Sequence, residues 1–146
     1  MVRRFAIAVV DFGGSSSVEA LVAPYCPEAV FTPAERRYCA RGGRALDHWA
    51  GRMAAKRSVL ALLCVEETED SLGGVEVGVG PHEGTCRPEL CDRGHRPVVD
   101  LVPELRSHAA GQGIGVSISH AAGRAVAVAA QPGEGSAPSA GSADLP

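Results

Sequence analysis

Apolar and polar positions along the chain change period from segment to segment, and each change predicts an element. Residues 4–10 (RFAIAVV) are a short apolar run with β-branched members that stops at Asp11, which predicts a buried first strand. Gly13, Gly14 and three serines break it, and Ser17 or an earlier serine offers an N-cap to a following helix. Thr32 and Glu35 stand three apart with Pro33 at the first helical position, the pattern of a capping box. Glu35 is then either a cap alone or a cap whose carboxylate also faces a site.

From 46 to 64 (LDHWAGRMAAKRSVLALLC) the period is helical. Leu46, Trp49, Ala50, Met53, Leu60, Leu63 and Cys64 recur at three- and four-residue steps, predicting one long amphipathic helix with a single buried face. Arg52 and Lys56 lie one above the other and Arg57 sits beside them, so a cationic seam is expected to border the apolar stripe. Isolated cations of this kind are usually snorkelling side chains on a solvated face. Lys56, however, is the only lysine in a chain whose other cations are all arginine.

Glu66, Glu67, Glu69 and Asp70 lead into Gly73-Gly74 and predict a solvated loop. Residues 75–79 alternate and read as a strand, 80–94 as an irregular insertion, 96–101 as a second strand and 103–111 as a short helix with Pro first and Gly last. Residues 114–119 and 124–130 alternate on either side of His120-Ala121-Ala122-Gly123, a β-hairpin. The expected fold class is α+β, with a long helix packed on a mainly antiparallel sheet. Residues 1–131 form the domain, and 132–146, made almost wholly of Pro, Gly, Ser and Ala, are expected to be a disordered tail.

Composition narrows the partners. With 146 residues and 45% hydrophobic content the chain suffices for one core. A net charge of −3 with no basic stripe argues against nucleic acid. No run approaches the ~20 apolar residues that span a bilayer, and residues 1–10 lack a signal-peptide cleavage site, so a cytoplasmic protein with no membrane partner is expected. Cys26, Cys39, Cys64, Cys86 and Cys91 make an odd, irregular set. Cys86-x4-Cys91 with His95 can be read as part of a metal site, but free thiols in a reducing compartment fit the spacing better.

Four separated pieces then share one resemblance. The strand ending at Asp11, FTPAE (31–35), AGRMAAKRSVLALL (50–63) and VSISHAAGRAVAVA (116–129) are similar, in order and over residues 4–131, to the motifs of holo-acyl-carrier-protein synthases, the small 4′-phosphopantetheinyl transferases. RPVVDL resembles the family's glycine-x-proline strand, with His95 where the glycine is expected. The resemblance implies transfer of phosphopantetheine from coenzyme A to a serine of an acyl carrier protein, release of 3′,5′-ADP, and a homotrimer with sites between subunits. It implies that Asp11 binds the catalytic magnesium. It also implies that Arg52, Lys56, Ser119 and His120 lie at the coenzyme A phosphates, where positive charge suits phosphoryl transfer.

The chain departs from the family pattern where it has Arg57. The family lysine is followed by a glutamate that is the second magnesium ligand, and here Lys56 is followed by a guanidinium. Ala61 stands where a further lysine is frequent, and the glycine-isoleucine-aspartate start reads Val9-Val10-Asp11, without the valine-glutamate-arginine continuation. Two readings follow. In one, the transferase persists, with Arg57 as a catalytic group supplying part of the metal's charge and the Asp11 magnesium site weak or absent. In the other, the fold is kept without synthase activity, as a carrier-protein-binding accessory or tailoring enzyme of a polyketide or fatty-acid type pathway. A nucleophilic hydrolase built on Ser119-His120 lacks the nucleophile elbow.

Overall fold

A computed structural model describes residues 4–41, 45–80 and 96–132. Its order is β1 (Arg4–Asp11), α1 (Val18–Val22), α2 (Pro27–Val30), α3 (Pro33–Cys39), α4 (Ala45–Leu62), α5 (Glu69–Gly73), β2 (Val75–Val79), β3 (Pro97–Leu101), α6 (Pro103–Arg106) continued by a 3-10 turn (Ser107–Ala109), β4 (Gly115–Ala121) and β5 (Arg124–Gln131). The class is α+β, as expected, but the strands form two antiparallel sheets: a three-stranded one in the order β1-β5-β4 and a β2-β3 ribbon.

Helix α4 is the centre of both. It packs on β1, β4 and β5 from one side and meets α1, α3, α5 and β2 on the others. Residues 49–56 are buried without a break, so the expected single buried face is corrected: this helix is enclosed around its circumference. Alanine meets alanine at the sheet side, with Ala50, Ala54 and Ala55 fully buried in the helix and Ala125, Ala127 and Ala129 in β5. Small side chains on both surfaces let helix and sheet approach closely. The helix ends two residues before the predicted stop. Val65 N donates to Leu60 O and Cys64 N to Ala61 O, a Schellman closure with Cys64 in the left-handed region at φ 56. Cys64 is therefore exposed, outside the stripe assigned to it.

The capping box is present as expected: Glu35 N donates to Thr32 Oγ1 and Thr32 N to Glu35 Oε1, with Pro33 opening α3. Ser17 caps α1. The acidic segment is not wholly a loop. Thr68 and Ser71 form a second capping box that starts α5 and buries Leu72 completely.

The hairpin register is Ala121↔Arg124 around a two-residue turn, with Ala122 at φ 52 and Gly123 at φ 78, the pair of positive angles of a type I′ turn. A Cβ at Gly123 would lie 2.9 Å from Gly13 Cα, so the turn rests directly on the loop that follows β1. Phe12 N donates to Gly123 O at 2.8 Å across this contact.

β1 pairs with β5 along its whole length, Arg4↔Gln131 to Asp11↔Arg124, and forms an edge of the sheet. The expectation that it is buried is corrected. Ala6, Ala8 and Val10 point towards α4, whereas Phe5, Ile7 and Val9 stand on the other face, 67%, 57% and 54% exposed. The insertion, with Cys86, Cys91 and His95, and the tail beyond 132 lie outside the described residues.

Candidate functional site

Period-two alternation in β4 and β1 divides the sequence-predicted site residues between two faces of the sheet. His120 pairs with Ala125, which faces α4, so it lies on the helix side. Ser119 pairs with Val126 and Asp11 with Arg124, on the open face that carries Phe5, Ile7 and Val9. Arg52 and Lys56 belong to α4 itself.

Lys56 is wholly buried, and so is its partner Glu35. Nζ donates to Glu35 Oε1 at 2.8 Å, to Leu72 O at 3.2 Å and to Val75 O. Glu35 Oε2 in turn accepts from Val77 N at 3.0 Å. One ion pair thus ties the start of α3, the middle of α4, the end of α5 and the start of β2. The ammonium has three donors and all three are engaged internally, so Lys56 reaches no ligand directly in this conformation. Burial pushes its pKa below the usual lysine value, against the pull of Glu35 in the other direction. Glu35 is both cap and ion-pair partner.

One turn earlier on α4, Arg52 is 5% exposed, and its guanidinium lies 4.1 Å from the ring centre of Tyr38. Its Nε is buried without a hydrogen-bond partner. Arg52 lines a cleft of about 710 Å³ with Arg37, Tyr38 and Arg41 on one wall and Glu76, Val77, Gly78 and Val79 on the other. The sequence did not single out Arg37, Tyr38, Arg41 or Glu76; they arrive from α3, its end and β2, and no local signal links them.

From Tyr38 a row of rings runs to His120. Tyr38 meets His48 edge-on with centroids 5.8 Å apart, and His48 meets His120 at 6.5 Å. His120 also borders a small cavity of about 200 Å³ with Phe12, Asp47 and residues 121–123 of the hairpin turn. Arg52 and His120 thus stand at opposite ends of this row of rings, Arg52 in the cleft wall and His120 at the small cavity.

Asp11 and Arg57 are held elsewhere. Asp11 Oδ1 accepts from Gly13 N at 3.2 Å, and Oδ2 lies 3.8 Å from Arg124 Nε with both side chains about two-thirds exposed. Arg57 Nε donates to Glu67 Oε1 at 2.7 Å, and Tyr25 donates to the same carboxylate. The guanidinium expected at the phosphates is thus paired with the segment after α4. The magnesium implied for Asp11 does not fit this donor set: the second carboxylate is absent, Arg124 is the ion-pair partner of the first, and among the described residues no three His, Cys, Asp or Glu side chains converge.

No protein-family model matches the chain, and no curated protein does. Solved structures do. The ACPS–coenzyme A complex of Chronobacterium ammoniagenes superimposes with a TM-score of 0.66 at 22% identity, over 90% of this chain and 98% of that one. This chain has the holo-acyl-carrier-protein synthase fold. The Helicobacter pylori holo-[acyl-carrier-protein] synthase in complex with coenzyme A gives 0.61 at 20% identity, covering 88% and 99%. The Bacillus anthracis synthase in complex with CoA (3′,5′-ADP) gives 0.62 at 21%, covering 90% and 97%. Each of these superpositions covers about nine-tenths of this chain. Among the described residues no helix is long and apolar enough to cross a membrane.

Proposed function

We propose that the protein is a 4′-phosphopantetheinyl transferase of the holo-acyl-carrier-protein synthase type, acting on coenzyme A and an acyl carrier protein. The observation that carries this reading is Arg52: a guanidinium almost fully buried, with an unbonded Nε, in the wall of a cleft flanked by two further arginines. The Nε itself is sealed, so a phosphate oxygen would meet the guanidinium at its terminal NH groups, where a charge-assisted bond is about twice as strong as a neutral one. Tyr38, Val77 and Val79 supply the apolar surface that a nucleotide needs beside its phosphates.

In the reaction a serine oxygen of the carrier attacks the β-phosphorus of coenzyme A. The new O–P bond forms as the bond from that phosphorus to the bridging oxygen breaks, 3′,5′-ADP leaves with the electron pair, and the serine proton passes to solvent or a base. Arg52 and His120 stabilise the charge that gathers on the phosphate oxygens. Lys56 acts as a positioning residue, holding Glu35 and Val77 in the cleft wall. Arg57 serves the fold through Glu67, and no step is routed through magnesium.

Assembly belongs to the same proposal. Phe5, Ile7 and Val9 with Val126 and Val128 make an apolar sheet face ending at Asp11, Ser119 and Arg124. Such a face needs a cover, and a homotrimer would bring Asp11 and Ser119 of one copy to the rim of the next. Free Cys26, Cys39 and Cys64 suit a reducing cytoplasm.

The test is incubation with coenzyme A and an apo carrier protein, with and without magnesium, read by mass spectrometry. A phosphopantetheine mass gain on the carrier is expected in both. The second reading, a carrier-binding protein that has lost transfer, is favoured by the Asp11–Arg124 pair and by Arg57. It predicts 3′,5′-ADP binding with no mass gain.

A further inference from the structure

Gly51 lies in the middle of α4, between Ala50 and Arg52, and is buried. A glycine there weakens a helix by about 1 kcal/mol relative to alanine, and this is the most enclosed helix of the fold. Its φ is ordinary for a helix, so backbone freedom is not the reason for it. Space is. A Cβ at this position would sit 2.9 Å from His120 Nε2, 3.4 Å from His120 Cδ2 and 3.0 Å from Ile118 Cγ2. The imidazole therefore rests on the bare backbone of α4 at the one residue that has no side chain, beside the guanidinium-bearing Arg52.

The neighbours make this seat matter for the site. His48, three residues before Gly51 on the same face, meets His120 edge-on, and Tyr38 beyond it carries Arg52. Any displacement of His120 moves one end of a row whose other end is the cleft.

We infer that Gly51 is the positioning residue for His120, fixing where the imidazole stands relative to Arg52, and that any side chain at 51 weakens phosphate binding through His120 and not by direct contact. The inference rests on the reading of His120 and Arg52 as phosphate-binding groups.

The experiment compares Gly51→Ala, His120→Ala and the double variant, with Ile118→Ala as a second background. Affinity for 3′,5′-ADP is measured by calorimetry, thermal stability by calorimetric unfolding, and the His120 ring signals by NMR. Gly51→Ala is expected to shift the His120 signals and to lower 3′,5′-ADP affinity about as much as His120→Ala does, roughly tenfold for loss of a charge-assisted bond. In the His120→Ala background the same substitution is expected to leave affinity unchanged, and once Ile118→Ala also removes the 3.0 Å contact of Ile118 Cγ2 it is expected to raise the melting temperature, because alanine's helix propensity is then unopposed. Unchanged affinity and unchanged His120 signals in Gly51→Ala would overturn the inference. So would rescue by Ile118→Ala with none by His120→Ala, which would show that Gly51 serves only the approach of β4. If the unmodified protein does not bind 3′,5′-ADP, the reading of the site fails, while the NMR signals and the reversal in melting temperature still decide the seat.

Discussion

Replacing Lys56 with methionine tests the centre of the fold. The substitution keeps the length and flexibility of the side chain and removes the ammonium. Glu35 would retain the amides of Thr32 and Val77, at 2.9 and 3.0 Å, but lose its one ion-pair partner among the described residues, and the carbonyls of Leu72 and Val75 would each lose a donor. Both side chains are at 0% exposure, so solvent screens neither. Removing one member of such a pair costs about 3–5 kcal/mol because the other charge stays buried. That is a fifth or more of the ~5–15 kcal/mol that holds a domain together. At about 4 °C per kcal/mol for a chain of this size, the melting temperature should fall by ~12–20 °C. Adding Glu35→Gln should recover part of the loss, since no buried charge remains. Calorimetric unfolding of the two single variants and the double variant gives the coupling directly. A fall under about 3 °C for Lys56→Met, or a double variant that loses the sum of the singles, would refute the burial of this charge. The pH dependence has a definite sign. Burial lowers the folded pKa of Lys56 beneath its unfolded value of 10.5, so just below that pH the unfolded chain binds more protons. The stability difference between the parent and Lys56→Met should therefore widen as pH rises towards 10.5.

Arg57→Ala should change 3′,5′-ADP affinity less than threefold and stability by under about 1 kcal/mol, because its partner Glu67 is part-exposed; a tenfold affinity loss in calorimetric titration would return Arg57 to the phosphates. On the proposed homotrimer, Ile7→Arg should give a monomer in light scattering and abolish the proposed transfer while leaving the circular dichroism of the fold in place; an unchanged oligomeric state would overturn the proposed interface. Cys39 is fully buried and burial pushes its thiol up to about 12 from 9.0. In peptide-resolved labelling at pH 8 it should stay unmodified while exposed Cys26 and Cys64 react, and its stabilising share should be lost as pH rises through 9 to about 12. Rapid labelling of Cys39 in the folded protein would show that the core around α3 opens.

Local signals were enough for the elements whose causes are local. The capping box of Thr32 and Glu35, the long helix, the alternating β2 and the hairpin each follow from spacing within a few residues, although the hairpin's turn is Ala122-Gly123 and not the whole of 120–123, and the α+β class follows from their order. The first strand was misread because Ala6, Ala8 and Val10 alternate with Phe5, Ile7 and Val9: both faces are apolar, and a run of that kind does not reveal that only one is covered within the chain. α5 was missed because Thr68 is answered by Ser71, a weaker box than one closed by Glu. In the site, the single lysine and Arg52 stood out in the sequence. The partners of Lys56 lie far along the chain, Glu35 at 21 residues and the carbonyls of Leu72 and Val75 at 16 and 19. Ser119 and His120 are adjacent in the motif, yet strand alternation sends them to opposite faces, and the seat of His120 on Gly51 joins residues 69 apart in sequence. Side-chain period is a property of one element, whereas burial, ion pairing and the meeting of α4 with β4 depend on how elements pack, and that was decided only in three dimensions.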